Sequence, residues 1–137
     1  MTHQVFHYSH RVTYGDCTVG NHVYYSRYLE FFEAARGEFF RAAGVPFATL
    51  QAEGAILPVV ECHLRYAAPA RYDDTLTIEV WLGLIERVKM QFEYRVLREQ
   101  TELVRAATLH VCTTLEEKPR RIPEHLRRAL GPYLAST

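Results

Sequence analysis

After the longest helical stretch of this chain the hydrophobic period turns from helical to alternating, and that change governs what it can fold into. From about Tyr25 to Ala43 the apolar residues recur at helical spacing. Tyr28, Phe32, Ala35, Phe39 and Ala43 share one face, and Arg27, Glu30, Ala34, Glu38 and Arg41 the other. Gly44 is a natural stop, with Pro46 just beyond. After it the pattern alternates. Val60, Cys62, Leu64 and Tyr66 point one way; Leu76, Ile78, Val80 and Leu82 form a second row, Met90, Phe92, Tyr94 and Val96 a third. In the last stretch Leu103, Arg105, Ala107, Leu109 and Val111 alternate with Val104, Ala106, Thr108, His110 and Cys112. These are half-buried antiparallel strands at hairpin spacing. Val5 to Thr13 predicts a first strand, Gly15, Asp16, Gly20 and Asn21 a turn region, and Pro123 to Leu130 a short closing helix.

A sheet with one apolar face must cover it, and only one long amphipathic helix is at hand. The expected fold is α+β: a curled antiparallel sheet wrapped around one long central helix. Trp81, Val104 and Ala106 are expected on the outer face and edges, which favours burial by a second copy of the chain. The 137 residues suit one domain with one core, spanning 1–137. Apolar residues make up 48% and charged residues 23%, as in ordinary soluble proteins. Sixteen basic and sixteen acidic side chains cancel, so nothing electrostatic calls for a nucleic acid or an anionic membrane. No apolar run approaches the length of a membrane span, and the polar start is unlike a signal peptide. Cys17, Cys62 and Cys112 are odd in number and lack metal-ligand spacing, which points to reduced thiols in the cytoplasm. Gly131 to Thr137 reads as a loosely held tail.

The stretch Tyr14-Gly-Asp-Cys-Thr-Val-Gly-Asn-His-Val-Tyr-Tyr-Ser-Arg-Tyr, followed by a helix with Glu33, Ala35 and Arg36, resembles the signature of the 4-hydroxybenzoyl-CoA thioesterase family. That signature reads D-x-D-x-x-G-x-V-Y-x-x-x-Y and then E-x-A-R. Asp16, Val23, Tyr24, Tyr28, Glu33, Ala35 and Arg36 match it, and Tyr72-Asp-Asp-Thr-Leu-Thr-Ile-Glu is similar to a strand opening of the same family. The resemblance runs from about Val5 to Leu115. It implies a hotdog fold, a homodimer or homotetramer with sites at subunit interfaces, and hydrolysis of an acyl-CoA or acyl carrier protein thioester without metal or cofactor. One departure stands out. The family's second acidic residue, often its nucleophile or base, falls on Thr18, which cannot ionise at neutral pH. His22 matches a branch that carries a histidine there. Gly20-Asn-His-Val-Tyr-Tyr is also similar to thioesterases of enediyne polyketide pathways, which lack the acid.

Thioester hydrolysis develops negative charge on the carbonyl oxygen, and unpaired amides at a helix start can receive it. By resemblance those amides are the ones around Tyr24 and Tyr25. A water must also be activated. Asp16 can hold or deprotonate it, or simply brace its turn. His22 belongs to the residue type that titrates near neutral pH, and Thr18 can orient a water. Arg36 falls among the apolar positions of the helix, where it either pairs with Glu33 one turn earlier or lines the acyl pocket. Arg87 and Lys89 either grip the phosphates of CoA or form a solvated strand end, and Arg120 and Arg121 are a weaker basic pair. His63 and His110 read as surface or interface residues. The rival from another class is a non-catalytic acyl-thioester-binding protein, because of Thr18. A dehydratase needs a His and an acid on the central helix, which this helix does not offer.

Overall fold

The computed structural model describes residues 2–135. In chain order it contains β1 (Phe6–Arg11), β2 (Cys17–Thr18), β3 (His22–Val23), α1 (Arg27–Ala42), α2 (Phe47–Ala52), β4 (Val59–Tyr66), β5 (Thr75–Ile85), β6 (Lys89–Arg98), β7 (Thr101–Val111) and α3 (Glu124–Leu130). Five strands form one antiparallel sheet in the order β1-β5-β6-β7-β4, and β2 and β3 form a small separate hairpin.

Helix α1 lies in the concave face of that sheet. Tyr28, Phe32, Ala35 and Phe39 are buried as their spacing predicts, and Phe31 and Phe40 widen the stripe. Phe32 stacks on Tyr94 at 4.3 Å, and Phe39 on Phe6 at 5.2 Å. The helix ends in a Schellman turn: Gly44 N–H donates to Arg41 O at 3.0 Å and Val45 N–H to Phe40 O at 2.9 Å. That turn needs the left-handed backbone Gly44 adopts, with φ +85°. Register shifts at Leu82/Leu84 and Val96/Leu97 bend the sheet around the helix.

The second shift corrects the expected facing of β7. Val96 pairs with Val104 but Leu97 with Glu102, so both Leu103 and Val104 are buried. Val104, Ala106, Thr108, His110 and Cys112 therefore line the inner face, and only Trp81 of the expected outer residues stays outside. Strand β4 also departs from expectation. It is an edge strand that meets α1 through Tyr66, whose ring lies 5.6 Å from that of Tyr28, and only Leu64 is half-buried, while Val60, Cys62 and Tyr66 are exposed. The tail is better held than expected: Gln4 N–H donates to Pro132 O and Ala135 N–H to Leu82 O. Ser136 and Thr137 lie outside the described residues.

Replacing Phe39 by alanine removes a ring that is 0% exposed and touches Phe6, Phe92 and Tyr133. Urea unfolding is expected to show a loss of about 3–5 kcal/mol, whereas Leu29→Ala, at a side chain 39% exposed, is expected to cost under about 1 kcal/mol.

Candidate active site at the start of the central helix

The loop before α1 is held at both ends. Thr13 to Asp16 form a tight turn in which Thr13 N–H donates to the Asp16 carboxylate at 2.9 Å. His10 Nε2 donates to the same oxygen at 2.9 Å, and its ring packs on Phe31 of α1 at 4.2 Å. Burial alone raises the pKa of Asp16, but the bonds from Thr13 and His10 outweigh it and the net shift is downward. Asp16 thus sits buried and occupied, a brace between β1, the loop and α1. On the other side Val23 N–H donates to Ala70 O and Tyr72 N–H to the Asn21 side chain. Asp74 secures that neighbouring turn by accepting from Arg71 N–H at 2.9 Å and Arg98 at 2.8 Å.

The hairpin brings Thr18 and His22 directly opposite each other. Thr18 is exposed, and His22 lines a cleft of about 300 Å³ with Tyr25, Tyr28 and Tyr66. The two amides expected at the helix start behave differently. Tyr24 N–H is already committed to Asp16 O at 2.9 Å. The amides of Tyr25 and Ser26 meet no acceptor among the described residues, and Ser26 makes no side-chain cap. Tyr66 Oη donates to Tyr25 O at 3.0 Å and fixes that peptide. The open helix start therefore has free donors at the positive end of the helix dipole, beside a cleft that Tyr25 lines.

Farther along α1 the structure adds a feature absent from the sequence reading. Arg36 does not pair with Glu33; its Nη1 donates to Tyr94 Oη at 2.9 Å. Tyr94 Oη lies 2.7 Å from Thr108 Oγ1, which lies 2.8 Å from His110 Nε2, and His110 Nδ1 lies 2.8 Å from Leu57 O. A carbonyl only accepts, so Nδ1 carries the proton and Nε2 accepts from Thr108. Tyr94 must then donate to Thr108 and accept from Arg36. One direction satisfies every group, and it requires neutral His110. Burial, reinforced by the Arg36 charge, lowers its pKa to about 4. His110 is 2% exposed rather than a surface residue, while His63 is exposed as expected. Two clefts meet at Arg36: one of about 280 Å³ beside β4, reaching Leu29 and Thr108, and one of about 190 Å³ under α2, walled by Phe40, Phe47, Leu50 and Phe92.

Arg87 and Lys89 are exposed at the turn between β5 and β6, next to the second basic pair, since Ile122 N–H donates to Arg87 O. Strand β5 separates them from the loop at Asp74, a distance of roughly 35 Å for its eleven residues. Within one chain they do not join the helix-start cleft.

Residues 12–130 match the thioesterase-like superfamily. The chain belongs to that superfamily. Over 128 residues it is 34% identical to the acyl-CoA thioester hydrolase YbgC of Escherichia coli, covering 92% of this chain and 96% of that one. A crystal structure of hypothetical protein TT1821 from Thermus thermophilus aligns with a TM-score of 0.87 and 34% identity, covering 93% of this chain and 98% of that one. The structure of Slr0204, a 1,4-dihydroxy-2-naphthoyl-CoA thioesterase from Synechocystis, aligns with a TM-score of 0.86 over 93% of this chain and 96% of that one, at 23% identity. The fold is the hotdog fold of this superfamily.

Tyr94, Thr108 and His110 escaped the sequence reading because the register shift hid which β7 row faces inward. The available signal was two polar residues, Thr108 and His110, in the row of Val104, Ala106 and Cys112. The buried neutral histidine has a measurable consequence. Below its ordinary value of 6.5 the unfolded chain takes up a proton that the folded chain refuses until about pH 4. Stability from this group is thus complete above pH 6.5 and lost as the pH falls toward 4, by about 3 kcal/mol. Urea titrations from pH 7 to 4 are expected to show the advantage of the native protein over His110→Gln shrinking by that order.

Proposed function

We propose that the protein hydrolyses acyl-CoA thioesters at the start of α1. The observation that carries this reading is the pair of unpaired amides of Tyr25 and Ser26 at the start of α1, where Tyr25 lines a cleft, in a chain of the thioesterase-like superfamily. The thioester carbonyl oxygen sits on those amides. Water adds to the carbonyl carbon, and the C–S bond breaks to release the acid and the CoA thiol. Each amide donor lowers the barrier by roughly 3 kcal/mol. Tyr25 supplies its amide; the amide of Tyr24 is spent on holding the loop.

His22 is the water-activating group in this reading. It lines the cleft with its ring exposed to solvent, and Thr18 stands opposite to share the water. Asp16, with its carboxylate engaged by His10 and Thr13, acts by holding the loop. Arg36 lines the acyl clefts. Arg87 and Lys89 serve a CoA bound in a site completed by a second copy. The exposed β4 edge, with Val59, Val60 and Tyr66, is the face we assign to a homodimer. Three free thiols support a reducing compartment, the cytoplasm.

Release of free CoA thiol from short-, medium- and long-chain acyl-CoA and from benzoyl-CoA tests the reading. His22→Ala is expected to lower kcat/KM by roughly a hundredfold with an unchanged melting temperature. Asp16→Asn is expected to lower stability by about 1–3 kcal/mol. Tight binding of acyl-CoA without any thiol release would replace the hydrolase by an acyl-thioester-binding protein.

A further inference from the structure

Arg36 carries five N–H donors on a half-buried guanidinium, and the structure uses one of them, on Tyr94 Oη. No carboxylate forms an ion pair with it among the described residues; Glu33 stands at the same mouth but is exposed. A partly desolvated cation with idle donors is costly unless something accepts from them. The guanidinium lines both clefts that meet at α1, the one beside β4 and the one under α2. The remaining wall of the inner cleft is mostly apolar, from Phe40, Phe47, Leu50 and Phe92. An alkyl chain satisfies those walls and leaves Arg36 unsatisfied. An alkyl chain bearing an oxygen satisfies both.

The chain of bonds behind Arg36 fixes where that oxygen must lie. Leu57 O orients His110, His110 orients Thr108, Thr108 orients Tyr94, and Tyr94 can then only accept from Arg36. The side chain of a helical residue leans toward the helix start, so the donors sit roughly 10–15 Å along α1 from the Tyr25 amide. We infer that Arg36 is the recognition residue for an acceptor oxygen, hydroxyl or carboxyl, on the distal part of a medium-chain acyl group. The thioester end of that group rests on the hydrolase reading above. The distal subsite rests on the Arg36 network alone. Tyr94, Thr108 and His110 are positioning residues that act through Arg36.

The test compares octanoyl-, decanoyl- and dodecanoyl-CoA with their ω-hydroxy and ω-carboxy analogues, in the native protein, Arg36→Met and Tyr94→Phe. The native protein is expected to favour an oxygenated substrate by tenfold or more in kcat/KM at one chain length at least, mainly through KM. Whether hydroxyl or carboxyl gains more identifies the oxygen. Arg36→Met is expected to lower kcat/KM for the oxygenated substrate tenfold or more beyond its effect on the plain chain of the same length, which erases the preference, and Tyr94→Phe to weaken the preference. Calorimetric titration of the native protein with the uncleavable thioethers S-decyl-CoA and S-(10-hydroxydecyl)-CoA reads the subsite without chemistry or variants. Thioesters cleaved with equal or better rates for plain chains at every length overturn the subsite and leave the hydrolase standing. No cleavage, with tighter binding of the hydroxylated thioether, removes the hydrolase and supports the subsite. Equal calorimetric affinity for the two thioethers counts against the subsite in either case.

Discussion

Burial of the α1 aromatic stripe against the concave side of the sheet is the contact on which the remaining structure depends. Phe31, Phe32, Phe39 and Phe40 are all at most 4% exposed, and among the described residues no second long helix is available to cover the sheet. The sheet must therefore curl, and its register shifts at Leu82/Leu84 and Val96/Leu97 supply the bend. A helix seated this way has its start at one end of the cup and its Schellman stop at the other. The position of the open amides follows directly from the packing of the aromatic rings.

The loop before that start is tied down without using the amides of Tyr25 and Ser26. Asp16 and Asn21 anchor the loop with side chains, and Ala70 O and Asp16 O take the amides of Val23 and Tyr24. A side-chain cap from Ser26 would serve the first-turn amides of Tyr28 or Leu29, so the amides of Tyr25 and Ser26 are left free with or without it. The helix lacks that cap and its modest stabilisation of about 1 kcal/mol, and it retains a polar, positively biased start. The stability of α1 comes instead from tertiary burial, as expected for a helix of this composition.

The second polar feature lies inside the apolar shell. A tyrosine, a threonine and a histidine on the inner sheet face are tolerable because each donor has an acceptor, from Arg36 through to Leu57 O. Protonating His110 would reverse the two inner bonds and leave the Tyr94 hydroxyl facing only a donor. The lowered pKa itself comes from burial, with the bond to Leu57 O opposing it and the Arg36 charge adding to it.

The helix and the strand rows of β5 and β6 were legible in the amino-acid order because their periods, near 3.6 and 2, report which faces are apolar. The family signature around Asp16 and Tyr24 was legible for the same reason: it is local. What local order does not carry is register between distant segments. One displaced pair at Val96/Leu97 turned Thr108 and His110 inward, the packing of α1 on β6 brought Arg36 to Tyr94, and the strand order left β4 an exposed edge. The amino-acid sequence alone determined a helix within a curled sheet and a loop poised at its start. Only the tertiary structure decided which amide is free and which partner Arg36 takes, because both depend on hydrogen bonds between residues far apart in the chain.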